Sequence, residues 1–243
     1  MPHICIQQMK LPIQAPADFR IIAHRGASAY APENTFAAFD LAARMGVRDI
    51  ELDAQLSADG VVVLCHDATL EKYGHGRQVV EQTSRDQLAP LDMGRWFSPF
   101  LFPDERMPTL RNLFGRYGVT FTYHIEIKGD APGLPHAIHK DVEAFGLEDQ
   151  CLFTSFSHEK LARMKALAPH AKLGWLIESI DDEILKRAER LGLFQLCPAA
   201  RPLTREAVRA ARTVAHEVRT WGISGARSEV LTLIQHTIRT GCD

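Results

Sequence analysis

Apolar and polar residues follow one another along this chain in two rhythms. Short runs of β-branched or apolar residues, bounded by turn formers, recur at Arg20 to His24, Asp49 to Asp53, Phe121 to Lys128, Cys151 to Ser155, Lys172 to Ile177, Phe194 to Pro198 and His216 to Gly222. Their length and boundaries predict seven strands. Between them, apolar residues fall at helical spacing from about Asn34 to Met45, Thr109 to Tyr117, Pro135 to Phe145, His158 to Leu167, Asp181 to Leu191, Thr204 to Val214 and Ser228 to Arg239. These predict helices, and Ser157 and Thr204 stand where a side-chain oxygen would cap the first turn, each followed by an early glutamate.

Strands alternating with helices imply βαβ units and a parallel sheet, either open and doubly wound or closed as a TIM (β/α)8 barrel. The first strand leads into Gly26-Ala27-Ser28-Ala29, which lacks the glycine spacing of a dinucleotide-binding turn, so the barrel is favoured. Its eighth strand is missing: the sequence reaches Thr240-Gly241-Cys242-Asp243 directly after a helical segment. Either the natural protein continues, by about ten residues for the usual strand length plus an exit, or the barrel is incomplete. One segment, Ala68 to Met107, breaks the alternation and reads as an inserted excursion after the second strand and its hairpin.

The 243 residues, 46% of them hydrophobic and 24% charged, suit a single domain spanning residues 1–243. A net charge of -2 without a dense basic patch argues against nucleic acid as a partner. The N-terminal MPHICIQQMKLPIQAPADFR lacks the pattern of a cleaved leader, and no apolar run reaches spanning length. A cytoplasmic protein without stable membrane insertion is expected. Cys5, Cys65, Cys151, Cys197 and Cys242 are odd in number and contain no C-x-x-C pair, which suits reduced thiols and neither disulfides nor a zinc site.

Ionisable residues crowd the carboxyl ends of the predicted strands: His24 and Arg25 after the first, Glu51 and Asp53 on the second, Glu126 and Lys128 on the third. That end of a parallel α/β array gathers loops and helix N-termini, and burying so many charges is costly without a ligand or metal. Alternation puts Glu51 and Asp53 on one face of their strand. Asp59-Gly60 marks a hairpin; if those two residues form the loop, Asp53 lies directly opposite His66, with Cβ atoms roughly 4.5–5.5 Å apart. Three converging carboxylates call for a cation, and all-oxygen ligation favours Mg²⁺ or Ca²⁺.

Ala23-His24-Arg25-Gly26, Pro32-Glu33-Asn34-Thr35, Glu51-Leu52-Asp53, Asp59-Gly60, His66-Asp67 and Glu126-Ile127-Lys128, in this order and spacing, resemble the motif set of the glycerophosphodiester phosphodiesterase family. Weaker similarity runs through Ser155-Phe156 to Trp221. The resemblance implies a TIM barrel and metal-dependent hydrolysis of a small glycerophosphodiester to sn-glycerol 3-phosphate and an alcohol. It makes Glu51, Asp53 and Glu126 metal ligands, His24 and His66 the acid–base pair, and Arg25 and Lys128 phosphate contacts, with Trp221 lining the pocket beside the glycerol. The chemistry agrees, because cationic groups draw charge from the phosphoryl oxygens while one histidine activates the attacker and the other protonates the leaving alkoxide. The attacker is water or the glycerol 2-hydroxyl.

Plainer readings compete with each assignment. His124, His136, His139, His158, His170, His216 and His236 read as hydrogen-bonded structural residues, and Glu126 with Lys128 would, in isolation, be a surface ion pair. Asn34 or Thr35 suits a helix cap, with a supporting role at the site open to Asn34, and Glu33 suits the first-turn dipole. Trp96, Phe97, Phe100 and Phe102 are expected to anchor the excursion, with an apolar lip over the substrate as the alternative. The family pattern is broken by Leu70-Glu71-Lys72-Tyr73-Gly74-His75-Gly76 after His66-Asp67, which makes His75 a candidate newcomer, and by Gly222-Ile223-Ser224 after Trp221. Two alternative functions stand beside the hydrolase: a lipid-directed, phospholipase D-like phosphodiesterase on the same fold, and a non-catalytic phosphodiester-binding protein.

Overall fold

The computed structural model describes residue 16 and residues 19–243; Cys5 lies outside them. These residues form two compact units, residues 21–152, and residues 153–243 with Pro16, Phe19 and Arg20.

In the first unit β1 (Ile22–Ala23) leads to α1 (Phe36–Arg44), β2 (Asp49–Leu56) and β3 (Val62–Leu64). The short α2 (Arg85–Leu88), then α3 (Leu110–Tyr117), β4 (Thr122–Ile127) and α4 (Leu134–Phe145) complete it. β2 is central, parallel to β1 on one side and β4 on the other, and β3 returns antiparallel against its far end. Both faces of β2 are covered: Ile50, Leu52 and Ala54 are fully buried on one and Asp53 on the other. Covered faces are what a parallel sheet requires. α1 contributes Ala38, Phe39 and Ala42 to the core, and Phe114 of α3 packs edge-on against Tyr123 of β4 with ring centroids 5.0 Å apart.

The excursion has its own small core, in which Leu70, Tyr73, Val80, Leu88, Met93 and Met107 pack with Val63 and Cys65, and Leu91 and Trp96 lie against it. Trp96 is an anchor, as expected, and its indole N–H donates to the Met93 carbonyl at 2.8 Å. Phe100 differs, being 91% exposed. His75 is also structural here, its Nε2 lying 2.7 Å from the Asp92 carbonyl oxygen.

The second unit begins within β5 (Cys151–Ser155) and continues through α5 (His158–Leu167), β6 (Lys172–Ile177), α6 (Asp182–Leu191), β7 (Gln195–Pro198), α7 (Arg205–Ala211), β8 (Glu217–Val218) and α8 (Arg227–Thr240). Its strands follow the order β5-β6-β7-β8, with β7 parallel to both β6 and β8. Ser157, Asp181 and Thr204 cap α5, α6 and α7 through their side chains. Among the described residues seven strands besides the hairpin return β3 are found, matching the seven expected. β8 is shorter than the predicted His216 to Gly222; beyond Val218 the pairing survives as a single bridge between Ala199 and Trp221.

Two local expectations are corrected. The hairpin loop has three residues, since the Ser57 N–H donates to the Val61 carbonyl at 2.9 Å and Gly60 takes φ 81°. A glycine in the left-handed region after a turn is the usual way to close such a loop. The register therefore shifts by one, Ala54 pairs with Leu64, and Cys65 rather than His66 stands opposite Asp53. The first helix starts at Phe36, with Thr35 as its cap, so Glu33 lies ahead of the helix and outside its first turn.

Candidate active site

β2 and β4 pair with Asp53 beside Glu126, and Glu51 lies two residues before Asp53 on the same face. The register thus delivers three carboxylates to one place, with ligand oxygens all within 4.8 Å of one another. Asp53 is fully buried and Glu126 nearly so. Burial, followed by the charges of Asp53 and Glu126, pushes the Glu51 carboxyl well above its ordinary range. Burial and Asp53 likewise raise Glu126. Asp53 Oδ1 is buried without a hydrogen-bond partner. An orphaned carboxylate oxygen amid crowded acids is costly unless a cation completes it, and oxygen donors of this kind suit a hard divalent metal.

The loop from β1 supplies the cationic side. Arg25 has φ 58°, a left-handed conformation unusual for a residue with a side chain, and Gly26 follows at φ 79°. A Cβ on Gly26 would meet Ala38 at 2.8 Å, so glycine lets the loop lie against α1. The Arg25 backbone N–H donates to Glu51 Oε2 at 2.9 Å, and its guanidinium Nε lies 3.1 Å from Asp53 Oδ2. Asn34, also left-handed at φ 54°, donates its amide to Asp53 Oδ2 at 2.8 Å and accepts the Asp53 backbone N–H at 3.2 Å. Its role is thus to hold Asp53, while Thr35 does the capping.

Of the two predicted histidines, His24 approaches a carboxylate of this cluster directly. His24 Nε2 is 3.9 Å from Glu51 Oε2. Desolvation, then the Arg25 charge, lower its pKa and favour a neutral ring, although 66% of the side chain meets water, which tempers the effect. His66 lies on a bend after β3, near enough to interact electrostatically with Glu126 and His24. Its Nδ1 lies 2.5 Å from Asp67 Oδ1, a contact that orients the ring. Lys128 Nζ donates to Glu126 Oε1 at 3.1 Å.

The family model for the "Glycerophosphoryl diester phosphodiesterase family" matches residues 24–235. The chain belongs to that family. A glycerophosphodiester phosphodiesterase of Caldanaerobacter subterraneus subsp. tengcongensis is 36% identical over 182 residues, covering 73% of this chain and 74% of that protein. One from Bacillus subtilis is 27% identical over 262 residues, covering 93% and 88%. The solved structure of an Oleispira antarctica phosphodiesterase in complex with the product sn-glycerol-3-phosphate aligns with a TM-score of 0.78 at 28% identity, covering 91% of this chain and 90% of that one. The α/β TIM-barrel class follows, and the chain is an enzyme of the phosphoric diester hydrolase type.

In this family member the remaining predicted residue, Trp221, belongs to the second unit. Its indole N–H donates to the Ile177 carbonyl at 3.0 Å and its ring meets Phe156 edge-on at 5.0 Å. Other histidines have plain structural partners: His124 Nε2 lies 3.1 Å from Asp49 Oδ1, and His236 Nε2 lies 2.8 Å from the Leu203 carbonyl. Lys72 and Tyr73, and the link from Glu33 to Arg25, are what local reasoning missed. The Glu33 carboxylate accepts hydrogen bonds from Arg25, Lys72 and Tyr73, a long-range meeting signalled in the sequence by Glu33 within Pro32-Glu33-Asn34-Thr35 and by the departure from family pattern at Lys72-Tyr73.

Proposed function

We propose that this enzyme hydrolyses small glycerophosphodiesters, such as glycerophosphocholine or glycerophosphoethanolamine, to sn-glycerol 3-phosphate and an alcohol, with Mg²⁺ or Ca²⁺ as cofactor. The observation that carries this reading is the Glu51, Asp53 and Glu126 cluster with its buried orphan oxygen, flanked by His24 and His66. The product in the Oleispira structure supports the choice of the glycerol 3-phosphate half.

Glu51, Asp53 and Glu126 would hold the cation, which supplies Lewis-acid polarisation of the phosphoryl group when bound. Arg25 and Lys128 contact the phosphate oxygens and offset charge that grows as the bond to the leaving oxygen lengthens. A neutral His24 accepts the proton of the attacking water or glycerol 2-hydroxyl, and His66, oriented by Asp67, donates one to the leaving alkoxide; after attack by the 2-hydroxyl the two roles reverse as water opens the cyclic phosphate. Trp221 is assigned to the glycerol carbons by family resemblance.

The match over residues 24–235 supports treating the chain as one catalytic domain. No helix among the described residues is long and apolar enough to cross a membrane. The cytoplasm, proposed as its compartment, suits the free, buried Cys65, Cys151, Cys197 and Cys242.

With metal supplied, glycerol 3-phosphate release from glycerophosphocholine should disappear on EDTA treatment and in Glu51→Ala, and should fall by about a hundredfold or more in His66→Ala. Turnover that persists in EDTA overturns the metal-dependent reading, and preferential cleavage of lysophospholipid vesicles replaces it with the lipid-directed one.

A further inference from the structure

Glu33 sits where nothing in the acid–base scheme uses it, yet it is among the most heavily bonded carboxylates near the site. Its side chain is only 9% exposed. One oxygen accepts the Arg25 guanidinium Nη1–H at 2.9 Å; the other accepts Lys72 Nζ at 2.6 Å and the Tyr73 hydroxyl at 2.9 Å. Burial alone would raise this carboxyl, but the Lys72 hydrogen bond and the Arg25 charge outweigh it and hold it down at about 2. Glu33 is therefore a fixed anion across the working pH range.

Arg25 needs such a partner. Its backbone is held in the left-handed region, and its Nε edge already faces Asp53 at 3.1 Å. Left with Asp53 and Glu51 alone, the guanidinium would be drawn onto the carboxylates assigned to the cation and would compete with it. Glu33 takes the Nη1 end and supplies an opposing pull, so the arginine is held between two carboxylates in one orientation. A side chain held in this way keeps its aim when substrate arrives.

The brace is set from the excursion. Lys72 and Tyr73 belong to it; Lys72 Nζ lies 4.6 Å from the Trp96 ring centroid, and Tyr73 meets Trp96 edge-on at 5.7 Å. Tyr73 is also part of the excursion's buried core with Leu70, Val80, Leu88 and Met93. A rigid, packed element thus ends in two donors on Glu33. We infer that Glu33 is a positioning residue for Arg25, held in turn by Lys72 and Tyr73, so that the excursion fixes the aim of the phosphate-contacting arginine. The inference rests on the proposed role of Arg25.

The test measures kcat/KM for glycerophosphocholine with Mg²⁺ in the full chain carrying Glu33→Gln, Tyr73→Phe and Arg25→Ala, singly and combined. Glu33→Gln should cost between about tenfold and a hundredfold, as a misplaced catalytic contact does. Tyr73→Phe, which deletes one hydrogen bond, should cost about two- to fivefold. In the Arg25→Ala background each change should cost less than about twofold, because a residue that acts through Arg25 has nothing left to position. Equal losses in both backgrounds overturn the inference and leave Glu33 a general structural residue. If Glu33→Gln does not fold, the milder Tyr73→Phe pair decides the same question. Full activity in Arg25→Ala alone shows a different failure, that of the phosphate-contact role itself, and the inference falls with it.

Discussion

The loop and strands around Arg25, Asn34, Asp53 and Glu126 differ in kind from the βα repeats of residues 151–211. In the repeats, each local rule agrees with its neighbours: β5 is buried throughout and β6 beyond Lys172 is apolar and mostly buried, and Ser157, Asp181 and Thr204 place oxygens on the backbone N–H groups that begin their helices. Around the carboxylates the rules are broken together. Two residues with side chains adopt positive φ, two glutamates are pushed up in pKa, and a buried aspartate oxygen lacks a partner. Such concentrated violation persists only where other contacts over-determine it and where it serves a ligand. The difference between these regions locates chemistry without reference to any relative.

The largest effect should come from the histidines. His66→Ala and His24→Ala should each lower kcat by about 10² to 10⁴, the contribution of a positioned acid or base, with thermal stability nearly unchanged. Stopped assays at saturating substrate check this, and a kcat within about threefold of wild type for either variant would remove that histidine from the acid–base pair. Next comes Asn34→Ala. Because Asn34 holds Asp53 through two hydrogen bonds, metal affinity or activity should fall by about 10- to 100-fold, the usual cost of losing a group that orients a ligand. Titration of Mg²⁺ into the variant reads the loss, and unchanged affinity and activity would reduce Asn34 to a loop former.

The contrast also explains what could be read from the chain. β5, β6 and α5 coincide with their predicted bounds, because short apolar runs, turn residues and caps are local signals. The carboxylate set was equally legible, since alternation alone puts Glu51 and Asp53 on one face. Failures arose where local signals are degenerate. Asp59-Gly60 permits a two- or a three-residue loop, and Gly60 at φ 81° selects the latter, moving Cys65 opposite Asp53. His66 nevertheless lies on the following bend, near enough to interact electrostatically with Glu126 and His24, a placement that strand pairing does not describe. The partners of Glu33 were hidden for a different reason: they come from residues 25, 72 and 73, and only the folded loop and excursion bring them together.

A pH experiment sharpens the comparison further. Without metal, the folded chain binds protons on Glu51 and Glu126 more tightly than the unfolded chain, whose glutamates titrate near 4.5. The stability they contribute is present below about 4.5 and is lost as pH rises through the raised folded values. His24, lowered from 6.5, acts in the opposite direction at mildly acidic pH, so the decisive quantity is a difference. In EDTA, Glu51→Gln should gain in Tm over wild type as pH rises above about 4.5, and saturating Mg²⁺ should reverse the order. A Tm difference that shrinks over that range would show that the carboxylates are not in mutual conflict.

The smallest expected effect tests the other region. Thr204 caps α7, its hydroxyl oxygen accepting the Ala207 N–H at 3.1 Å on an exposed surface. Like Asn34 it stands at a helix start, but it serves only the helix. Thr204→Ala should therefore cost about 1 kcal/mol in urea unfolding and leave kcat/KM unchanged. Asn34→Ala should show the reverse balance, losing far more activity than stability. If Thr204→Ala lowers kcat/KM by more than its small loss of folded protein explains, then the repeats are not passive scaffold, and the division between a strained catalytic loop and a locally consistent support fails at its plainest point.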